Sequence, residues 1–481
     1  VIPLTLAEIA QAVGGSMHDI PDPAARVTGP VVLDSRTVKP GGLFVAFSGE
    51  KVDGHDFARQ AVADGAVGVL AARPVGVPAV VVEDVTAGLG ALARLVVERL
   101  GATVVALTGS AGKTSTKDLI AQLLERIGPT VYPTGSLNNE IGLPLTALRA
   151  ELGTRHLVLE MGARGIGHIR YLTGLTPPRI GVVLNVGTAH IGEFGGREAI
   201  AQAKGELVEG LPPDGLAVLN ADDPLVAAMA TRTRARTVLF GESPEAEVRA
   251  TDVRLTTAGH PSFTLRTPQG SAEVTLRLYG EHHVSNALAA AAVSRELGMP
   301  VEEIATALSE AGALSRWRME VIERADGVTI VNDAYNANPD SVRAALRALA
   351  AMGAGRRTWA VLGEMAELGD DSLAEHDAVG RLAVRLNVTR LVAVGGREAA
   401  WLDMGAKNEG SWGEESVLVS DADAAIDLLR TQVRPGDVVL VKASRAVGLE
   451  RVATALAAEA GPPPDGGGGA RVAGSEDEGG R

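Results

Sequence analysis

The stretch ALTGSAGKTSTKDLIAQLL, Ala106 to Leu124, constrains the chain more than any other. A short apolar run enters a loop of glycines, a lysine and hydroxyls, and a helical pattern begins at once. Gly109 and Gly112 lack side chains, so the backbone N–H groups from Gly109 to Ser115, Ser110 and Ala111 included, can close around phosphate oxygens at a helix N-terminus. Lys113 is expected to neutralise the outer phosphate oxygens, and the Thr114 hydroxyl to take a Mg²⁺ position. The full G-x-x-x-x-G-K-[ST] pattern would need glycine where Leu107 stands, so the loop is a shortened variant. ATP and Mg²⁺ are the expected cofactors.

A chain of 481 residues is too long for a single core and predicts about three units. Hydrophobic residues at 46% and charged residues at 22% describe an ordinary globular composition. With a net charge of -14 and no long basic cluster, the chain offers no surface for nucleic acid or anionic membrane. It has no cysteine, which excludes disulfides and thiolate chemistry. No basic leader or long apolar run is present, so a cytoplasmic location is expected.

Residues 1–83 mix a short helix with strands such as VTGPVVLDSR and GLFVAF, a small α/β lobe. From residue 84 to 314, short apolar runs (RHLVLEMGA, RIGVVLNVG, GLAVLNADD, ARTVLFG) alternate with helical patterns, which predicts a buried, mainly parallel sheet. Strict alternation between Glu247 and Tyr279 predicts a small antiparallel appendage. A third alternating α/β unit occupies 315–460, and the Gly/Pro/acidic tail 461–481 has too little to bury and is expected to be disordered.

Glu160 falls at the C-terminal end of one predicted strand and His190 after another, the edge where ligands bind in open parallel sheets. Together with the loop they point to a metal–phosphate site. Lys204, in the middle of REAIAQAKGELVEGL, reads by itself as a solvated helix lysine. In NDAYNANPDS, Asp333 suits ribose hydroxyls and the amides of Asn336 and Asn338 suit a base edge; the same residues also make an Asx-turn and helix cap.

These segments occur in the order of one family. The pieces DSRTVKPGGLFVAFSGEKVDGHDFA, GSAGKTSTK, GSLNNEIGLPLTAL, EMGARGIGHI, AHIGEFGG, AKGELVEGL, RMEV, NDAYNANPDS and LGEMAELG resemble the Mur ligases of peptidoglycan synthesis over about Leu4 to Ala460. The resemblance implies three domains, an N-terminal UDP-substrate lobe, a central P-loop ATPase domain and a C-terminal Rossmann-like domain, with the active site between them, and ATP-driven amide bond formation through an acyl phosphate. LGEMAELGDDSLAEHDAVG is similar to the dipeptide-adding branch, whose substrates are UDP-N-acetylmuramoyl-tripeptide and D-Ala-D-Ala. A tripeptide synthetase of the same superfamily, or a nucleotide-dependent switch without product, is the competing reading.

The resemblance also implies roles. Lys204 becomes a carbamylated lysine that helps His190 hold a second Mg²⁺, beside a first at Thr114 and Glu160. Asn286, Arg318, Asp333, Asn336 and Asn338 are implied in nucleotide contacts, Arg318 also at the γ-phosphate. Ser35, Arg36, Thr134, Asn138 and Asn139 are assigned to the UDP substrate, and Tyr335 and Ser444 to the dipeptide. His283 and Ala443 stand where the family usually has Asn and Gly. A monomer is expected.

Overall fold

The computed structural model describes residues 1–49, 51–187, 191–257, 259–410 and 415–458. His190 and the tail, together with residues 459 and 460, lie outside them. The architecture is mixed α/β with mainly parallel sheets.

The N-terminal lobe carries a five-stranded sheet whose strands fall between Ser16 and Val81. Helix α1, Val85–Leu100, leaves this lobe; the Asp84 side chain caps it by accepting from the amides of Thr86 and Ala87. Its buried Leu89, Leu92 and Val96 share one apolar cluster with Leu43 and Leu70 of the lobe and Leu157 and Leu159 further on. The lobe is therefore packed on the central unit through continuous core.

The central sheet contains nine strands among the described residues: β1 Thr103–Thr108, β2 Thr130–Val131, β3 His156–Glu160, β4 Ile180–Val183, β5 Leu216–Asn220, β6 Arg236–Gly241, β7 Val248–Leu255, β8 Pro261–Thr267 and β9 Gly270–Thr275. Their spatial order is β9-β8-β7-β6-β5-β4-β1-β3-β2. Val105 and Leu107 of β1 face one apolar cluster, and Val104 and Ala106 face the other, the period-two signature of a strand buried on both sides. The alternating stretch after Glu247 is no separate appendage. β7 pairs parallel with β6, and β8 and β9 follow antiparallel, because β6 leaves an edge that β7 extends.

After β1 the chain forms helix α2, Lys113–Glu125, and goes to β2 and β3 on one side; β4 then pairs with β1 on the other. The order reverses at β1, so a crevice opens beyond its C-terminal end. Helix α3, Arg197–Glu209, follows β4, and helix α4, His283–Glu296, packs on α2.

The third sheet has the order β10-β11-β15-β12-β13-β14: β10 is Glu320–Glu323, β11 Thr329–Asn332, β12 Thr358–Leu362, β13 Arg390–Val394, β14 Ser416–Val419 and β15 Val438–Lys442. Apart from β10, every pairing in it is parallel. Helix α5, Pro339–Met352, starts at the reciprocal cap of Asn338 and Ser341. Helices α6, Ser372–Arg385, and α7, Arg397–Glu409, cross closely at two glycines. A Cβ on Gly380 would lie 2.0 Å from the carbonyl oxygen of Leu402, and one on Gly405 would lie 2.2 Å from that of Asp377.

Gly380→Ala should therefore destabilise this unit by about 1–3 kcal/mol, because backbone cannot yield as a side-chain tip does. Thermal unfolding followed by circular dichroism checks this through a lower midpoint.

Candidate active site

β1 delivers the chain to Gly109 and a loop that ends at Gly112, where φ is +79°. Only glycine takes that conformation without strain, and a Cβ here would sit 2.6 Å from the Asn286 amide oxygen. α2 starts at Gly112 with no side-chain cap, so its N-terminus is left to an anion. The other end of the loop is pinned. The side-chain oxygen of Asn185 accepts from the amides of Ser110 and Ala111, each at 2.9 Å, and its amide donates to the Ala111 carbonyl at 3.1 Å. Sequence reasoning did not single out Asn185, although its place two residues past β4, among the strand ends of the crevice, is a readable signal.

Lys113 is half-buried and donates from Nζ to the Gly109 carbonyl at 2.8 Å. Burial lowers the pKa of its ammonium, opposed by Glu160 and assisted by Arg318. Glu160, 1% exposed at the end of β3, accepts from the Thr114 hydroxyl at 2.9 Å, the Ser136 hydroxyl at 2.8 Å and the Asn138 amide at 2.7 Å. Ser136 is a further residue that the sequence reading passed over. Arg318 donates to the Thr114 hydroxyl at 3.3 Å and lies 4.2 Å over the Tyr335 ring. Its buried Nε has no partner.

Lys204 corrects its residue-level reading. It is no solvated helix lysine: it is 6% exposed, on the cleft side of α3, because the apolar face of this helix packs into the central core. Burial lowers its pKa well below the ordinary lysine value, and the charge of Lys113 adds to the effect. Among the described residues no carboxylate pairs with it.

The third unit supplies the far wall. Asp333 accepts from the amide of Met319 at 3.1 Å and from Lys442 Nζ at 2.6 Å, and Lys442 also donates to the Asn336 carbonyl at 2.9 Å. Lys442 was not anticipated; as the last residue of β15 it occupies a strand end facing the crevice. Asn338 caps α5 and reaches the Ser110 carbonyl at 3.4 Å. The Ser444 hydroxyl accepts from the amide of Ala366 at 2.8 Å. Asn286 donates to Nδ1 of His283 at 3.3 Å, and the His282 and His283 rings lie 4.2 Å apart.

These side chains line one cleft of about 1010 Å³ between the central and third sheets. Of the expected site residues, Ser110 to Ser115, Asn138, Asn139, Glu160, Lys204, Asn286, Arg318, Asp333, Tyr335, Asn336, Asn338 and Ser444 line it. Gly109 lies beneath the loop, against Leu184. Ser35, Arg36 and Thr134 are not brought to the cleft. Arg36 is spent on an exposed two-point ion pair with Asp34 in the N-terminal lobe, and Thr134 is exposed. His190 lies outside the described residues.

Among the described residues no group of three or more His, Cys, Asp or Glu gathers as a protein-only metal cage. The buried Glu160 carboxylate, with the Thr114 and Ser136 hydroxyl oxygens beside it, fits a Mg²⁺ that takes its other ligands from phosphates and water. No helix of the described residues is long and apolar enough to cross a membrane.

Three family models match in succession: the Mur ligase family catalytic domain over residues 30–97, the Mur ligase middle domain over 107–294, and the Mur ligase glutamate ligase domain over 317–445. The chain belongs to the Mur ligase family. The UDP-N-acetylmuramoyl-tripeptide–D-alanyl-D-alanine ligase of Mycobacterium tuberculosis is 53% identical to this Mur ligase, over 95% of this chain and 98% of the relative. The ligase of that name from Escherichia coli is 38% identical, over 95% and 99%. The crystal structure of MurF from Acinetobacter baumannii superposes with a TM-score of 0.85 at 33% identity, covering 95% of this chain and 99% of that one. MurF of Thermotoga maritima in complex with ADP gives 0.78 at 33%, covering 90% and 98%.

In this Mur ligase the pair of histidines makes stability depend on pH. Burial lowers His282 to about 4, with Asp333 opposing and Lys442 assisting, whereas the unfolded ring titrates near 6.5. Between those values the unfolded state binds more protons, so stability falls as pH drops through that window. From pH 7 to pH 5 the wild type should lose about 1–2 kcal/mol more than His282→Gln, measured by guanidinium unfolding at both pH values.

Proposed function

We propose that this Mur ligase joins D-Ala-D-Ala to UDP-N-acetylmuramoyl-tripeptide at the expense of ATP, in peptidoglycan precursor synthesis. The observation that carries the reading is the meeting of Thr114, Glu160 and Arg318 at the uncapped start of α2, in a cleft that also holds the buried Lys204. The relatives of that name cover nearly the whole chain and supply the substrate pair.

The loop from Gly109 to Ser115 holds the triphosphate through backbone amides, and Lys113 offsets its outer charge. Asn286, Asp333, Asn336 and Asn338 hold the nucleoside end, and Arg318 reaches toward the transferring phosphoryl group from the third unit. Thr114 and Glu160 would hold Mg²⁺, which when bound offsets charge on the phosphate oxygens. The peptide carboxylate takes the γ-phosphoryl group with release of ADP. The dipeptide amine then attacks the acyl carbon and gives up a proton, and the acyl C–O bond breaks with its electron pair leaving on phosphate.

Lys204 supplies the remaining chemistry. A neutral amine adds to CO₂ and releases one proton, leaving a carbamate whose anionic oxygens suit a hard cation. His190 would share that position. Ser35, Arg36, Thr134, Asn138 and Asn139 are proposed for the UDP substrate, and Tyr335 and Ser444 for the dipeptide. We place the units at 1–83, 84–314 and 315–460, acting as a cytoplasmic monomer.

Phosphate release that requires both UDP-tripeptide and D-Ala-D-Ala is the expected result; nucleotide binding without turnover would overturn the ligase reading in favour of a switch. Lys204→Ala should be nearly inactive and partly rescued by formate or acetate, while amines do nothing. A fully active, unsupplemented variant would remove Lys204 from the mechanism. Lys113→Ala should lose several kcal/mol of transition-state stabilisation, read as kcat/KM, with its melting midpoint retained.

A further inference from the structure

Lys117 stands one turn after Lys113 on α2 yet is not among the residues lining the cleft. Its side chain is 1% exposed. Nζ donates to the carbonyls of Pro133 at 2.9 Å and Gly135 at 3.3 Å and to the Ser315 hydroxyl at 3.4 Å, and it lies 2.6 Å from a carboxylate oxygen of Asp118. The other oxygen of Asp118 accepts from the amide of Ser315 at 3.0 Å.

We propose that Lys117 is a positioning residue that sets the Glu160 carboxylate and the Arg318 segment in register with the phosphate-binding helix. The inference rests on the ligase reading above. Residues 132–139 form neither helix nor strand, so their carbonyls have no ladder partners and need donors from elsewhere. An ammonium has three donors, and two of them go to carbonyls on either side of Thr134. The next residue, Ser136, and then Asn138 donate to the same oxygen of Glu160. Thr114, which donates to the other oxygen, lies three residues before Lys117 on the same rigid helix. The ammonium thus sets the spacing between the two sides of the carboxylate.

Its third donor goes to Ser315, three residues before Arg318. Segments from distant parts of the chain therefore meet at one buried cation outside the cleft. An apolar side chain of equal length would fill the space, but only a multidentate donor joins these segments.

The test uses the full chain with Lys117→Met and Asp118→Asn together, so that no buried carboxylate is stranded. Expected are a kcat at least ~10-fold lower, a several-fold rise in the Mg²⁺ concentration for half-maximal turnover, and a KM for UDP-tripeptide within about twofold of wild type. In the ligand-free chain, hydrogen exchange at residues 134–139 should be at least ~10-fold faster, with β1 unchanged. A lower melting midpoint with wild-type kcat and Mg²⁺ dependence would overturn the proposal and leave Lys117 a structural residue. If the double variant does not fold, Ser315→Ala removes one arm only. A several-fold lower kcat with unchanged ADP affinity is then expected, and wild-type kcat would overturn the proposal. Absence of turnover in the wild type would instead count against the ligase reading, and the exchange measurement would still decide the role of Lys117.

Discussion

The first turn of α2 starts at a left-handed glycine and has no side-chain cap, which leaves amide dipoles aimed into a crevice at the C-terminal end of β1. Everything else in the cleft is arranged around that open end. Asn185 pins the entry of the loop, Asn286 closes on Gly112, and Thr114 ties the turn to Glu160. A capping side chain there would satisfy the helix and remove the site.

Four lysines lie in or beside this cleft, and their partners separate their roles. Burying an ammonium is costly unless it is paired and hydrogen-bonded. Lys117 has Asp118 and three oxygen acceptors, and Lys442 has Asp333 and the Asn336 carbonyl. Lys113 keeps one carbonyl acceptor, at the uncapped start of α2. Lys204 pairs with no carboxylate among the described residues, and its lowered pKa follows from burial. The same residue type thus ties distant segments together twice, stands at the uncapped start of α2 once, and once lies buried with no carboxylate partner among the described residues.

Two side-chain bonds among the described residues that cross the cleft between the central and third sheets are long. Asn338 reaches Ser110 at 3.4 Å and Arg318 reaches Thr114 at 3.3 Å, near the long end of hydrogen bonding. By contrast, the N-terminal lobe shares apolar core with the central sheet.

Local pattern was sufficient for the loop, the parallel sheets, the cap at Asn338 and the placing of Glu160 at a strand end. Each depends on residues close in sequence: a continuous apolar run on β1, glycines in a turn, Pro after Asn. The family motifs added Lys204 and Arg318, which spacing alone did not mark. What tertiary structure decided is which side chains meet. Ser136, Asn185 and Lys442 look ordinary in the chain, and their importance comes from partners 24, 74 and 109 residues away. Burial of Lys204 could not be read from the REAIAQAKGELVEGL pattern either, since it depends on which face of α3 the central sheet covers. Periodicity reports the face a residue occupies, whereas charge state and hydrogen-bond partners are set by atoms brought together only when the sheets close on one another.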